Sequence, residues 1–367
     1  MKKFLRFFPG LLPAVITILL PFPGMAQQKI RQPVDPVGFA TKAWQMDSVI
    51  TRIDRIQGNR IESAWERTNV RKFTQWKVAI CPHDDYSYVG WLYPAILRNI
   101  DAPTVILIGV AHKAKKFGVE DKIVFDSYTA WKAPKGPVRE SWLREKLMNN
   151  LPRSTYIVHD SLCQSEHSLE AIVPFLQFYN PKVEIIPLLV PYMSFSTMDG
   201  LAISLSLALK KMMQQNNLAW GRDIAIVISS DAVHYGDEGW NGQNYAPYGS
   251  DTTGYRNAVK HELEIISNSL TGNLSKEKMR MFTGYTVQDT NHRAYKWPWC
   301  GRYSVPFGLL TAEKLSGQLQ TGPLKGVLIG YHTSLDRPLI LVRDLGMGTT
   351  AAANLNHWVG YAAIGYR

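Results

Sequence analysis

The sequence has few cysteines and no repeats. Only three of its 367 residues are cysteine, and it contains no internal repeat or low-complexity tract. After the first 26 residues, no apolar run approaches the roughly 18 residues that a membrane-spanning helix needs. These absences exclude collagen-like, coiled-coil and polytopic membrane proteins. The odd number of cysteines leaves at least one thiol free, bound to a metal or paired outside the chain.

Acidic residues are also in short supply. The chain has 30 aspartates and glutamates against 41 lysines and arginines, which gives a formal net charge of +11. The basic residues are scattered, and their densest local cluster is Lys113, Lys115 and Lys116. A diffuse excess of this kind is typical of a solvated surface. No nucleic-acid-binding motif is present, so we expect no nucleic-acid partner.

Hydrophobic residues, in contrast, make up 46% of the chain, which is enough for a large core. No linker rich in proline, glycine or serine divides the chain after residue 70. We therefore expect one domain over residues 76–367. The polar residues 27–75 are predicted to form an N-terminal extension that packs against this domain and contains one helix at 47–59.

Residues 1–26 have the layout of a cleavable secretory signal peptide. Lys2, Lys3 and Arg6 precede an apolar stretch, which ends in small residues up to Ala26. An uncleaved membrane anchor is the alternative, but several prolines interrupt what would have to be a long helix. We expect an exported protein, periplasmic or extracellular, that has no stable membrane insertion after cleavage.

Short apolar runs alternate with helical patterns along the domain, as in α/β proteins. The runs predict strands at 76–81, 104–110, 183–190, 223–228 and 326–329. Apolar residues at three- and four-residue spacing predict helices at 141–150, 168–179, 197–215, 253–270 and 305–317. Because the strands are apolar almost throughout, we expect a mostly parallel central sheet, buried on both faces and flanked by helices.

Polar side chains follow three of these strands. His83 comes after the first strand, His112 after the second, and Asp231 and His234 after the fourth. In open α/β sheets the ligand crevice lies at the carboxyl ends of the strands, so these residues are expected to converge. Imidazoles there could bind zinc, copper, iron or nickel, or form an acid/base pair with the aspartate. Glu166 belongs to a further polar cluster that begins a helix.

Five motifs resemble, in order and approximate spacing, those of the Memo-like family, also called AmmeMemoRadiSam system protein B. They are Pro82-His83 with Tyr86 and Tyr88, Gly109 to His112, Glu166 to Glu170, Ser229 to Gly236, and Cys300-Gly301-Arg302 with Pro306 and Gly308. The match runs from about residue 77 onwards and leaves residues 27–75 unexplained.

The resemblance implies a fold similar to the class III extradiol dioxygenases, with a metal at the strand ends. By the family pattern the metal ligands would be His83, His112 and Cys300, and Asp231 and His234 would be further pocket residues, in acid/base roles. A thiolate is softer than the carboxylate of an iron site, which favours copper or zinc and argues against ring cleavage. Copper and iron are the metals implied by the family, with zinc as a further possibility.

The chain departs from the family beside His83, where Asp84-Asp85 replaces a small pair, and after His112, where Lys113 replaces a second histidine. The two carboxylates could add a ligand or a general base, or could cap the turn. Lys113 could line the pocket rim or be solvated. Other pocket candidates are Asp85, Glu166, His167 and Arg302. Cys81 and Cys163 could take part in redox chemistry or belong to the core.

Three functions are compatible with these residues. The first is a metal-dependent oxidoreductase or dioxygenase-like enzyme that acts on a small molecule of unknown identity. The second is a non-catalytic copper- or iron-binding protein of the cell envelope. The third is a hydrolase that uses metal-activated water, with Asp85 or Glu166 as base.

Overall fold

The computed structural model describes residues 1, 4, 29–71 and 74–367. Nearly all of the predicted signal peptide therefore lies outside the described residues. Among the helices that are described, none combines the length and the hydrophobicity needed to cross a membrane.

Within these ranges the chain forms thirteen strands and ten α-helices. The strands are β1 (Ile30–Arg31), β2 (Val78–Cys81), β3 (Thr104–Val110), β4 (Ile123–Phe125), β5 (Ala130–Ala133), β6 (Gly136–Arg139), β7 (Tyr156–Val158), β8 (Glu184–Val190), β9 (Ile224–Ser229), β10 (His234–Gly236), β11 (Gly272–Asn273), β12 (Lys325–Thr333) and β13 (His357–Tyr366). The helices are α1 (Ala43–Thr68), α2 (Tyr86–Val89), α3 (Leu92–Leu97), α4 (Leu143–Asn150), α5 (Asp160–Ser165), α6 (Ile172–Tyr179), α7 (Phe195–Gln215), α8 (Thr252–Ile265), α9 (Lys276–Thr286) and α10 (Ser304–Leu319). A π-helical turn, Ile266–Leu270, continues α8.

The central sheet is mixed, with the strand order β11-β12-β13-β2-β9-β3-β8-β4-β7. Its middle strands β2, β9, β3 and β8 are parallel to one another. However, β13 runs antiparallel to both β2 and β12, and β4 runs antiparallel to β8. The prediction of a mostly parallel sheet is therefore wrong. Residues 334–356, all described, connect β12 to β13 without an α-helix, whereas the crossover between parallel strands is usually helical.

Alternate residues of the parallel strands face two separate hydrophobic cores. In β3, Val105 and Leu107 belong to the first core, whereas Ile106 and Ile108 belong to the second. This alternation follows from the two-residue period of a strand. Helices α1, α3 and α6 contribute to the first core, and α4, α7, α8 and α10 contribute to the second. The domain is thus an α/β structure with helices on both faces of one large sheet.

Helix α1 is longer than the predicted helix at 47–59. Its buried residues Met46, Val49 and Ile53 recur at three- and four-residue spacing and pack into the first core. The amphipathic pattern explains why this part of the N-terminal extension lies on the domain.

Arg31 fixes the start of the extension to the domain. Its Nη1 lies 2.6 Å from Glu170 Oε1, and both side chains are buried. Arg31 Nε also donates a hydrogen bond to the Cys163 carbonyl at 3.0 Å, and its guanidinium carbon lies 4.1 Å from the centre of the Trp131 ring. These contacts connect the extension to the segment that carries Glu166.

The sheet order places three strand ends side by side. Strand β9 lies between β2 and β3, and all three are parallel. His83, Asp231 and His112 each follow one of these strands. The carboxyl edge of the sheet therefore brings them to one place, as in other open α/β sheets.

Candidate metal centre

His83 is buried, and a chain of hydrogen bonds sets its tautomer. Its Nδ1 lies 2.8 Å from Ser229 Oγ, and that hydroxyl donates its own hydrogen to the Ser168 carbonyl. Ser229 must then accept from His83 Nδ1–H, which leaves the Nε2 lone pair for a metal. Burial and the neighbouring imidazoles of His112 and His167 lower the pKa of His83 well below its usual range, so the ring is neutral.

Glu166 orients His112 in a similar way. Its buried carboxylate accepts hydrogen bonds from His112 Nδ1 at 2.9 Å and from the His112 backbone N–H at 2.7 Å. The backbone N–H groups of His167 and Ser168 donate to the same carboxylate. Burial alone would raise the pKa of Glu166, but the two imidazoles and the Ser168 N–H lower it to about 2. The charged carboxylate holds the proton on Nδ1 and leaves His112 Nε2 as a lone-pair donor.

Cys300 is buried, and its Sγ lies 2.8 Å from His234 Nε2. Burial, with the charges of Asp231 and nearby carboxyls, raises the pKa of the Cys300 thiol well above its ordinary value. Burial and the neighbouring imidazoles lower the pKa of His234 to about 3. Both shifts favour the uncharged forms, a thiol next to a neutral imidazole.

Glu262 anchors the loop that carries Cys300. This fully buried carboxyl accepts the indole N–H of Trp297 and of Trp299, the latter at 2.7 Å. It also accepts the backbone N–H of Val233 at 3.0 Å, beside His234. One side chain thus connects the two segments that hold Cys300 and His234 together.

Gly301 allows the same loop to approach the end of β9. A Cβ at this position would lie 2.3 Å from Ser230 Oγ, and the Gly301 N–H donates to that hydroxyl at 3.1 Å. Only glycine fits at so close an approach.

His83, His112 and Cys300 form a cluster that could hold a metal ion. One ligand atom from each lies within 4.8 Å of the others. Both imidazoles have a partner on Nδ1 and an unprotonated Nε2, and the third donor is a thiol that binds metals as the thiolate. The donor set therefore fits a transition metal.

Asp231 contacts His83 rather than His234. Its Oδ1 accepts the His83 backbone N–H at 2.8 Å, and its Oδ2 lies 3.4 Å from His83 Nε2. Asp231, His234 and Cys300 nevertheless form a second cluster whose ligand atoms lie within 4.8 Å of one another. The geometry thus differs from the expected Asp231–His234 pair, because Cys300 is the partner of His234.

Asp84 and Asp85 form hydrogen bonds away from the metal cluster. Asp84 Oδ2 accepts from Tyr361 Oη at 2.6 Å, and Asp84 Oδ1 accepts the Asp85 backbone N–H at 2.7 Å. Asp85 Oδ2 accepts the Thr350 N–H at 2.6 Å. Burial and the adjacent Asp84 raise the pKa of Asp85 to about 8. The pair connects the turn after β2 to β13 and to the loop before it.

His167 lies beside the cluster, and its ring stacks on that of His112 with centroids 5.1 Å apart. His112, Glu166 and His167 form a further group of potential ligands. Lys113 donates from Nζ to the Ser165 carbonyl at 2.7 Å. The charge of this lysine is therefore tied to the backbone next to Glu166.

His112, Cys300 and Arg302 line one cavity of about 520 Å³. This volume lies within the usual range for small-molecule sites, about 300–1,000 Å³. Tyr192, Tyr295 and Tyr303 supply aromatic walls, and Val110, Ala111, Lys115, Val190, Asn291 and Arg293 complete the lining. The metal cluster therefore borders a space large enough for a substrate.

Cys81 and Cys163 are free and buried in the first core. Neither pairs with Cys300, which is also free.

The sequence did not predict the roles of two residues that support the centre, Glu262 and Ser229. Glu262 interrupts the buried face of α8, which also contains Ala258 and Ile265, and an acid on an apolar face is a signal that could have identified it. Ser229 ends β9 and begins one of the family motifs, but nothing in that motif indicates its contact with His83.

A sequence profile described as Memo-like protein matches residues 54–338. The chain is 28% identical over 163 residues to the MEMO1 family protein of Pyrobaculum aerophilum. This alignment covers 42% of this chain and 52% of the relative. It is 31% identical over 163 residues to the MEMO1 family protein of Aquifex aeolicus, with coverages of 43% and 54%. These two alignments span only about half the length of the relatives. An alignment with the MEMO1 family protein of Pyrococcus furiosus is longer, with 24% identity over 282 residues, 74% of this chain and 83% of the relative.

Proposed function

Because the chain belongs to the Memo-like family, we propose that it is a metal-dependent oxidoreductase that acts on a small molecule. His83, His112 and Cys300 would hold one ion, copper or iron. The observation that carries the proposal is that His112 and Cys300 line the cavity of about 520 Å³. Catalytic metal sites keep a position open to substrate, whereas structural sites are closed by four protein ligands.

The donor set favours a redox metal. Two imidazoles and one thiolate suit copper and also bind iron or zinc. Bound copper or iron would supply one-electron redox chemistry next to the cavity. The similarity to class III extradiol dioxygenases rests on sequence motifs, and the thiol in place of a carboxylate argues against ring cleavage.

We assign His234 to proton transfer or substrate contact rather than to metal binding. Its Nε2 faces the Cys300 sulfur, so it is placed to pass the thiol proton to solvent when metal binding displaces it. Asp231, which contacts His83, would position the imidazole ligand. Replacing His234 by Ala is expected to leave the metal content nearly unchanged and to abolish turnover, whereas loss of the metal would make His234 a ligand.

Metal analysis of the purified protein tests the proposal. We expect about one copper or iron ion per chain, its loss in Cys300→Ser, and its retention in the control Cys163→Ser, which replaces another buried free cysteine. A paramagnetic signal that disappears on reduction and returns in air would support redox chemistry. If the protein retains only zinc and shows hydrolytic turnover, the result would favour a hydrolase. If it holds a redox-active metal but shows no turnover, the result would favour a metal-binding envelope protein. Full metal content in Cys300→Ser would refute the ligand assignment.

The location outside the cytoplasm is also part of the proposal. It is supported by the positively charged start and the apolar stretch within residues 1–26.

A further inference from the structure

We propose that Arg302 binds an oxyanion of the substrate, a carboxylate or a phosphate, in the cavity beside the metal cluster. This inference rests on the proposed function, because it names the substrate class of the same site. It assigns a binding role to an arginine whose charge has no acidic partner in the described part of the chain.

Arg302 is buried, with only 8% of its surface exposed. Its Nη2 donates to the Arg293 carbonyl at 3.1 Å, but Nε and Nη1 have no hydrogen-bond partner among the described residues. A guanidinium remains charged at any working pH. Buried charges are normally paired, so an unpaired one that lines a cavity indicates a missing anion.

The carboxylates that contact other residues of the cavity and of the metal cluster have partners of their own. Glu120 pairs with the exposed Arg293, Glu166 holds His112, and Asp231 contacts His83. No ion pair joins Arg302 to an acid within residues 29–71 and 74–367. The anion that complements this charge must therefore come from outside the described chain.

Two tyrosines hold the guanidinium in place. The Arg302 Cζ lies 3.3 Å from the centre of the Tyr295 ring and 4.8 Å from that of Tyr303. Stacking on the tyrosines fixes the plane of the Arg302 guanidinium before a ligand binds. This lowers the entropic cost of binding a planar oxyanion. The exposed Lys115 and Arg293 also line the cavity, so the positive potential extends from its rim to its interior.

The position of Arg302 connects anion binding to the metal cluster. Arg302 lies two residues after Cys300, and both line the same cavity. A substrate whose oxyanion contacts Arg302 would place its remaining atoms between the tyrosines and the His112–Cys300 side of the cavity. We therefore expect a small organic anion and not a neutral or cationic molecule.

Calorimetric titration of the full chain with sodium benzoate and with inorganic phosphate tests the inference. Each is titrated into metal-loaded and into chelator-treated protein, so that binding to a metal is separated from binding to Arg302. We expect at least one of the two probes to bind both forms at one site, benzoate indicating a carboxylate substrate and phosphate a phosphorylated one. Binding that disappears with the metal would overturn the inference.

Arg302→Met removes the charge and keeps much of the apolar length over Tyr295. We expect it to weaken probe binding at least tenfold and Arg302→Lys to weaken it less. The control Arg222→Gln removes an exposed arginine at the amino end of β9, outside the cavity lining, and is expected to leave probe binding unchanged. The metal content and the melting temperature of each variant are measured in parallel, so a failure of the metal proposal is recorded separately. Unchanged binding by Arg302→Met, or no binding of either probe to wild type, would refute the anion site.

Discussion

Replacing Glu262 tests whether one buried carboxyl organises the metal centre. In Glu262→Ala, the indole N–H groups of Trp297 and Trp299 and the Val233 N–H lose their acceptor. Each buried, unsatisfied donor costs about 1–3 kcal/mol, so the three together predict a loss of about 3–9 kcal/mol in the free energy of unfolding. A loss of this size is comparable to the whole free energy of unfolding of many domains, so this variant can fail to fold.

Glu262→Gln is the milder and more informative change. Its carbonyl oxygen can still accept the two indole N–H groups, but its amide NH₂ then faces the Val233 N–H, which also donates. We expect a loss of about 1–3 kcal/mol, measured by urea unfolding followed through tryptophan fluorescence. Since Val233 and Trp299 adjoin His234 and Cys300, metal affinity is expected to fall about tenfold.

The pH dependence of the free energy of unfolding provides a second test of the role of Glu262. Burial raises the pKa of Glu262 to about 7, although the indole and backbone donors oppose the shift. This pKa is higher than that of a glutamate in the unfolded chain. The contribution of Glu262 to the free energy of unfolding is therefore complete below about pH 4.5 and is lost as the pH rises through 7. The stability difference between wild type and Glu262→Gln should therefore be larger at pH 5 than at pH 8.

Glu264→Gln is the matched control, because Glu264 lies near Glu262 on α8 but has a side chain that is 52% exposed. We expect a change within about 0.5 kcal/mol. The reasoning fails if Glu262→Gln costs no more than this control, or if its cost grows as the pH rises.

Three further predictions concern the metal and the mature chain. Glu166→Gln should lower metal affinity about 10–100-fold, measured by chelator competition. The amide is a weaker acceptor than the charged carboxylate and no longer holds the proton on His112 Nδ1. An unchanged affinity would contradict this prediction. Metal affinity should rise about tenfold per pH unit between pH 6 and 8, since burial raises the pKa of Cys300 and one thiol proton must leave; a pH-independent affinity would exclude Cys300 as a ligand. The intact mass of protein from its native host should correspond to a chain that begins at or near Gln27, and a full-length cytoplasmic species as the main form would contradict export.

The strands were predictable where their residues are apolar without interruption. The range 104–110 coincides with β3, whose seven residues are all buried. Strand β13 was missed because Gly360, Ala362, Ala363 and Gly365 are small and do not indicate a strand. All four nevertheless pair with β12, and Gly365 also pairs with β2. Without β13 the antiparallel half of the sheet could not be predicted.

The residues of the centre were predictable to different degrees. His83 and His112 follow apolar strands, so their convergence was expected from the sheet alone. Cys300 lies on a loop with no periodic pattern, and only the family resemblance indicated it. The contacts of Ser229 and Glu262 depend on packing between distant segments, which no local pattern contains.

The position of β13 has a consequence for how the chain is synthesised. Ile80 of β2 pairs with Ile364 of β13, so a central ladder of the sheet joins segments that leave the ribosome far apart in time. Until β13 emerges, β2 has one open edge in the middle of the future sheet, and such edges promote aggregation. Truncations before residue 357 would expose this edge permanently and remove Tyr361 from Asp84. Nascent chains arrested at such points should therefore be protease-sensitive and bind chaperones, and become resistant only after β13 is released.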